Sequence, residues 1–509
     1  MIGITINVES FGNELRSLVM AFYPNEDIKV GYFDKADIFI DAFIDCKEVS
    51  VKVTSFNNIN DIIKECELVK FADEESIEKE FLKYDSKETI DNKFISLNPS
   101  YRLEYKNAVK RAVYNALSKK TGKKLPWGTL TGIRPTKIPV AFLEMDKTED
   151  KIFEIMKNSY LASNEKIKLS IETAKREVDL LKKIDYKNGY SIYIGIPFCP
   201  TTCVYCSFTS YPIKSWEVRV DEYLDALFKE IDYVSKRFSK RCLNTIYIGG
   251  GTPTSLSAKH LDKLFKKISD SFDFSNVVEW TVEAGRSDSI TEDKLIVMQK
   301  YPISRISINP QTMKEETLKL IGRRHSADDV IRVFKLARKN GFDNINMDII
   351  VGLPEENLND IIYTLEEIAK LAPDSLTVHS LAVKRAARLN TDKADFVDFK
   401  IQNTSDMIDM TSKYAKQMGL LPYYLYRQKN MAGNFENVGY ALKGKFAFYN
   451  ILIMEEKQHI IALGAGGSSK IVFQNDGHIE RIENLKDVGL YIDKIDDMIA
   501  RKEKILKKL

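Results

Sequence analysis

Apolar and polar residues change rhythm several times along the chain. Ile2-Gly3-Ile4-Thr5-Ile6-Asn7-Val8 alternates as a strand does, and residues 11–22 then repeat at helical spacing. Ile38–Ile44 and Val49–Val53 predict two further strands, so residues 1–95 read as a small α+β domain. Residues 96–188 read as a helical connecting region, with helices expected over 101–118, 147–160 and 164–184. In the last of these, Ile167, Ile171, Ala174, Val178 and Leu181 form one apolar stripe behind a cap at Ser163 or Asn164.

Over residues 189–390 strand and helix patterns alternate. Strands are expected at 191–196, 244–248, 277–283, 304–308, 344–351 and 375–381, with helices at 217–237, 258–269, 291–300, 326–340 and 357–371. Val220, Leu224, Leu227, Ile231 and Val234 keep helical spacing in the first helix. Six successive β–α units call for parallel strands joined by right-handed crossovers. A barrel, a partial barrel or an open doubly wound sheet would satisfy them. Residues 391–509 mix helix and short strand and end in an amphipathic helix carrying Val488, Tyr491, Ile495, Met498 and Ile499.

Composition narrows the classes. The 509 residues are 44% hydrophobic and 29% charged, which suits several folded domains and excludes a disordered chain. Lys and Arg number 76 against 73 Asp and Glu, a net charge of +3 that gives no basis for nucleic-acid binding. The longest basic cluster, Lys119–Lys124, reads as a solvated turn. No run reaches the roughly 18 apolar residues of a membrane span, and the amino terminus lacks the basic start of a signal peptide. The expectation is a soluble, cytoplasmic monomer. Six cysteines are too few for a disulfide scaffold. Cys46 and Cys66 read as ordinary core residues, but Cys199, Cys203 and Cys206 sit together.

That segment is Tyr193-Ile-Gly-Ile-Pro-Phe-Cys199-Pro-Thr-Thr-Cys203-Val-Tyr205-Cys206, directly after a strand. Three thiolates on one tight loop can hold three irons of a cubane cluster and leave the fourth iron open to a small molecule. Zinc would want a fourth ligand, and Cys242, 36 residues beyond Cys206, and His260 are the nearest candidates in sequence. A disulfide would leave one thiol over, and chance clustering of buried cysteines is the remaining alternative.

If the strands form a parallel barrel, their carboxyl ends share the face where ligands bind. Distinctive residues fall at those ends. Gly249-Gly250-Gly251-Thr252-Pro253-Thr254 follows the second strand, where glycines let backbone approach a ligand closely, or simply punctuate a turn. Glu283 ends the third strand, Gln311 follows the fourth, and Asp348 lies inside the apolar fifth. A carboxylate in an apolar strand must be paired or bound to ligand, and Arg323 is a candidate structural partner. Together these groups favour a polar ligand such as a ribose and an amino-acid moiety.

The cysteine spacing with an aromatic residue before the third cysteine resembles the radical S-adenosylmethionine superfamily. The order of motifs over about 190–385 resembles the oxygen-independent coproporphyrinogen III dehydrogenase family. Leu125–Thr136 and Pro422–Asn430 resemble its longer branch, HemZ. The resemblance implies a partial (β/α)6 barrel with an N-terminal α+β domain and a C-terminal α+β extension, 391–509, covering the substrate side. It implies a [4Fe-4S] cluster on Cys199, Cys203 and Cys206. It also implies S-adenosylmethionine contacts from Tyr193, Gly250, Gly251, Thr252, Pro253, Glu283, Gln311, Arg323 and Asp348. In relatives with a second S-adenosylmethionine, Tyr205 matches one of its contacts, and Ala382 and the Gly464–Ser468 loop match the others more loosely. Gly195 stands where the family usually has histidine, and the carboxy-terminal Arg-Pro-Gly element of many relatives is not evident.

The activity so implied is oxidative decarboxylation of two coproporphyrinogen III propionates to vinyls, yielding protoporphyrinogen IX, with a reducing electron donor as partner. A tetracarboxylate substrate calls for cations, and Arg324, Lys384, Arg385, Arg388 and Arg427 are candidates. A heme-trafficking protein on the same fold, or a radical tetrapyrrole methyltransferase, are the alternatives. Of the histidines near strand ends, His325 reads as a structural or S-adenosylmethionine-shell residue rather than a heme ligand.

Overall fold

The structure is a computed structural model, and it describes residues 1–24, 26–32, 35–44, 48–58, 61–70, 102–384, 386–392, 399–428, 434–473 and 477–509. Cys46, Arg385 and the side chain of Cys66 lie outside the described residues. The chain divides into two compact units, Met1–Pro135 with Met145–Ile171, and Thr136–Glu144 with Glu172–Leu509.

In the first unit, β1 (Ile2–Ile6), β2 (Ile28–Val30), β3 (Ile38–Ile44), β4 (Glu48–Asn58) and β5 (Asp61–Lys70) form one sheet in the order β2-β1-β3-β4-β5. β3 shows why it is a strand: Ile40, Ala42 and Ile44 are buried while Asp41 and Phe43 face out. Helices Gly12–Phe22 and Arg102–Thr121 contribute Leu15, Leu18, Val109, Val113 and Leu117 to the same core.

In the second unit, β6 (Gly189–Ile196) precedes a two-stranded ribbon of β7 (Phe198–Cys199) and β8 (Tyr211–Pro212). Next come β9 (Cys242–Gly250), β10 (Glu279–Gly285), β11 (Arg305–Ile308), β12 (Ile345–Val351) and β13 (Ser375–Ser380). β6 and β9–β13 lie side by side in chain order, all parallel. A doubly wound sheet must reverse strand order at a switch point. None occurs here, so every crossover advances in one direction and the six units form an open arc of barrel.

The sheet has two different faces. Register aligns Tyr193 with Tyr247, Tyr247 with Thr281, Thr281 with Arg305, Ser307 with Asn346, and Asp348 with Thr377. This polar face also carries Glu283 and His379. The opposite face carries Ile192, Ile246, Val282, Ile306, Met347 and Val378, all buried. Stripes such as Leu224, Leu227 and Ile231 on helix Val220–Arg237 are buried with it. Each βα helix of the arc falls where the spacing predicts it.

Both edges of the arc are completed from the last part of the chain. β14 (Leu421–Tyr426) and β15 (Asn437–Ala441) add antiparallel beyond β13. On the other side β16 (His459–Leu463) runs parallel to β6, followed by β17 (Ser468–Val472) and β18 (Ile479–Glu483). Both otherwise open strand edges are thereby paired. Helix Phe448–Glu455 brings Tyr449 against Tyr247 (ring centroids 4.4 Å apart) and Tyr193 (6.4 Å). The expected single final helix is instead two, Val488–Asp493 and Ile495–Leu506, broken at Lys494, whose φ of −118° and ψ of 29° interrupt the turn. The stripe still faces inward through Val488, Tyr491, Ile495 and Met498.

Those two helices are tied to the barrel by a buried charge network. Lys502 Nζ lies 2.7 Å from Glu230 Oε1, and both side chains are fully buried. Asn484 Nδ2 donates to the same oxygen at 2.8 Å and accepts from Lys502 at 2.7 Å. Tyr491 OH and the Gly464 amide donate to Glu230 Oε2 at 2.7 and 2.8 Å. Removing one member of a buried pair strands the other charge. Lys502→Met is therefore expected to lower the unfolding free energy by about 3–5 kcal/mol, and the double variant Glu230→Gln, Lys502→Met to recover most of it, read by urea denaturation.

Candidate active site

At the carboxyl ends of the parallel strands lies a cavity of about 250 Å³. Cys199, Cys203, Cys206, Tyr205, Gly250, Gly251, Thr252, Glu283, Gln311, Arg323, Asp348 and Ala382 all line it. Tyr193 lines a neighbouring cavity of about 150 Å³ instead, with Gly195, Phe208, Ala465, Gly466 and Lys486. Pro253 borders neither; it is buried at the start of a 3-10 turn.

The cysteine loop is fixed by backbone. The Gly251 amide donates to Ile196 O at 2.8 Å and the Thr252 amide to Phe198 O at 2.7 Å. A Cβ on Gly251 would stand 2.6 Å from Phe198 O and 2.9 Å from Cys199 Sγ. A Cβ on Gly250, whose φ is +112°, would stand 3.0 Å from the Ile196 backbone. Gly250 and Gly251 are thus required by the cysteine loop itself, whatever ligand the turn also meets. On the other flank, Val204 N donates to Ile321 O, and Arg286 Nη1 donates to Thr201 O at 2.9 Å and approaches Cys203 Sγ at 3.5 Å.

All three cysteines are free thiols, Cys199 and Cys203 buried and Cys206 partly so. Burial pushes the Cys199 thiol up to about 11, so loading metal must displace protons. The zinc alternative fails on position. Cys242 pairs with Gly189 at the amino end of the strands, the length of nine-residue β9 away from the loop, roughly 30 Å. His260 faces Asp221 on helix Ala258–Ser271. Among the described residues no three His, Cys, Asp or Glu side chains gather as a single metal ion requires. A cubane, which takes one thiolate per iron, makes no such demand.

The two carboxylates differ. Glu283 accepts from Tyr247 OH at 2.5 Å, and burial in the barrel pushes its carboxyl up to about 7. Burial also opposes ionisation of Asp348. There, however, His379 at 3.6 Å and the Asn346 amide at 2.6 Å hold the carboxyl below the usual range. Arg323 pairs with neither carboxylate; it donates to Asn309 O at 2.5 Å and Tyr205 OH at 3.1 Å. Gln311 holds a φ of +70°, costly without glycine, while its backbone bridges Asp348 O and the Ile350 amide at 2.9 Å each. Buried Gln311 Oε1, Arg323 Nε, Asn309 Oδ1 and Asn437 Nδ2 have no partner among the described residues.

Unpartnered donors and acceptors beside two carboxylates fit a ligand carrying an amino group, a carboxylate and hydroxyls. The three thiols at the same cavity fit the cluster. Arg286, Tyr247, His379 and Asn437 belong to the site although motif reading did not select them. A buried Arg two residues before Asp288, just after a strand end, was the one available signal. Burial works against the Asp288 carboxylate, but His325 and Arg286 hold it well below the usual range. His325 itself is buried behind that pair, 3.9 Å from Asp288, in a structural position.

Of the candidate substrate cations, Lys384 lines the cavity. Arg427 is buried against Asn434, and Arg388 pairs with Asp392 at 2.9 Å. Gly195 accepts from Tyr223 OH at 2.6 Å, and a Cβ there would meet nothing nearer than 3.5 Å. Its lack of a side chain leaves the smaller cavity open.

An arc of parallel strands with a three-cysteine loop at its carboxyl end defines a radical S-adenosylmethionine protein, and the Radical SAM superfamily model matches residues 193–368. The oxygen-independent coproporphyrinogen-III oxidase-like protein HemZ of Bacillus subtilis is 42% identical over 410 residues, 80% of this chain and 82% of that protein. The heme chaperone HemW of B. subtilis is 38% identical over 195 residues, 38% of this chain and 51% of its own. The oxygen-independent coproporphyrinogen III oxidase of Escherichia coli is 31% identical over 192 residues, 38% of this chain and 42% of its own. The chain belongs to the HemZ family of radical S-adenosylmethionine proteins, and that membership implies a [4Fe-4S] cluster and S-adenosylmethionine. Among the described residues, no helix is long and apolar enough to cross a membrane.

Gly251→Ala forces the backbone around Cys199 to move. It is expected to lose most of its iron after anaerobic reconstitution, measured as iron and sulfide per chain. Gly132→Ala, where a Cβ meets nothing within 4 Å, should load normally.

Proposed function

We propose that this protein oxidatively decarboxylates propionate side chains of coproporphyrinogen III to vinyls, giving protoporphyrinogen IX without oxygen. The observation that carries the reading is the convergence of three free cysteines, Glu283, Asp348 and the unpartnered atoms Gln311 Oε1 and Arg323 Nε on one cavity. Relatives named for coproporphyrinogen oxidation support the substrate. The cluster and S-adenosylmethionine, held by Cys199, Cys203 and Cys206 and by the polar groups of the cavity, would supply a one-electron cleavage yielding a hydrogen-abstracting carbon radical.

The chain's own residues do the rest. Glu283 and Asp348 receive the cationic amino group and ribose hydroxyls, and Arg323 takes the carboxylate. Gln311 and Asn309 complete the hydrogen bonds, and Tyr205 is oriented by the Arg323 guanidinium. Tyr426, Gln428 and Asn437 wall the cavity from 391–509, the segment assigned to the substrate side, and shield the reacting carbon from water. Each propionate loses a hydrogen atom from its β-carbon, then carbon dioxide and one electron to an external acceptor.

The ionised form of Glu283 is the one that attracts a cation, and it is favoured only above about pH 7. Affinity of the cluster-loaded protein for S-adenosylmethionine should therefore rise from about pH 6 to about pH 8, measured by anaerobic calorimetry, and Glu283→Gln should flatten that rise.

Anaerobic turnover with a strong reductant, S-adenosylmethionine and coproporphyrinogen III is expected to give 5'-deoxyadenosine and decarboxylated product together, with both lost in Cys203→Ala. Deoxyadenosine with unchanged porphyrinogen would reject the substrate. Neither product, with stoichiometric heme binding by a verified cluster-loaded protein, would place the chain with the heme chaperones.

A further inference from the structure

Phe208, two residues beyond the last cysteine, is 68% exposed. A large aromatic ring left in water beside a catalytic cavity has no packing role, and this ring borders both cavities. A lysine lines each cavity with it. Lys384 lines the larger cavity and sits with its ammonium 5.6 Å from the centre of the Phe208 ring. Lys486, exposed, lines the smaller cavity together with Gly466. Neither lysine has an ion-pair partner among the described salt bridges. Gly195, Gly250 and Gly466 line the smaller cavity without side chains.

An aromatic platform bordering two cavities, each lined by a lysine, recognises a flat apolar ring whose edge carries carboxylates. We infer that Phe208, Lys384 and Lys486 form the docking edge for the substrate, one pyrrole ring lying on Phe208 with its propionate and that of an adjacent ring reaching the two lysines. The inference rests on the tetrapyrrole reading above and adds to it how the ring is oriented. In the free protein the Lys384 ammonium rests on the ring face through cation–π attraction. A carboxylate is the better partner for that ammonium, so the arriving ligand exchanges one contact for the other and takes the vacated ring face. The rim placement also sets depth. A ring held at Phe208 directs one edge toward the cysteine loop, which ends two residues earlier.

The test is anaerobic binding of coproporphyrin III, the stable oxidised form, to cluster-loaded protein, followed by porphyrin fluorescence anisotropy. Phe208→Ala is expected to weaken binding about tenfold, in the range measured for loss of aromatic stacking, while Phe208→Trp keeps it. Lys384→Gln and Lys486→Gln should each weaken it about two- to fivefold and reduce its salt sensitivity. Lys266→Gln, an exposed lysine paired with Asp270 on an outer helix, should change nothing. Unchanged affinity in the Phe208 and lysine variants, with tight binding by the unaltered protein, would overturn the docking edge and leave the tetrapyrrole reading standing. No binding by the unaltered protein would overturn both.

Discussion

The site depends on one close backbone contact, the glycine turn after β9 pressed against the cysteine loop after β6. Two adjacent parallel strands end at the same height, and each would send its connection outward over the barrel rim. Gly250 and Gly251 let the second connection pass beneath the first, with amide hydrogen bonds of 2.7 and 2.8 Å from Thr252 and Gly251 to the loop's carbonyls. No side chain fits at Gly251, because its Cβ would lie 2.6 Å from Phe198 O. The position of Cys199 is thus set by main chain, before any metal binds. Arg286 and the Ile321 carbonyl hold the other side of the loop, so three successive βα units converge on it.

The rest of the chemistry follows from the two-faced sheet. A fully buried parallel strand is ordinarily apolar on both sides. Here one side holds Tyr247, Glu283, Asn346 and Asp348, and their burial has a desolvation cost that the protein only partly offsets. Tyr247 compensates Glu283, and His379 with Asn346 compensates Asp348 more fully. That difference separates two carboxylates of the same cavity, one held ionised and one poised near neutrality. The unmet hydrogen-bonding capacity of Gln311 and Arg323 is the complement of a charged, many-functioned ligand.

Local pattern made the arc legible. The six strands and their helices fall within a few residues of where periodicity places them, because each is built from contiguous sequence. The cysteine spacing and the isolated carboxylates Glu283 and Asp348 were visible for the same reason. What escaped was long-range. Nothing local says that Tyr247 meets Glu283, that Asn437 turns an amide toward β13, or that β16 pairs with β6 from more than 260 residues away. The break at Lys494 was also hidden, since the apolar stripe continues on either side of it. Arg323 shows the converse error: sequence proximity suggested a carboxylate partner, and the fold supplied a tyrosine and a carbonyl instead.

The arrangement also divides labour along the chain. The βα units provide every cysteine of the loop and every carboxylate of the cavity, while residues beyond 420 wall it from one edge of the sheet and wall the neighbouring cavity from the other. Tyr426, Gln428 and Asn437 come from one edge, and Ala465, Gly466 and Lys486 from the other. The cysteine loop with its carboxylates and the outer walls are therefore carried by different stretches of sequence. The similarity to HemW of B. subtilis and to the E. coli oxidase extends over 38% of this chain and that to other HemW proteins over as much as 62%, whereas the HemZ similarity extends over 80%. The rim leaves Phe208, Lys384 and Lys486 open to solvent, so it offers an entering ligand an aromatic ring and two ammonium groups.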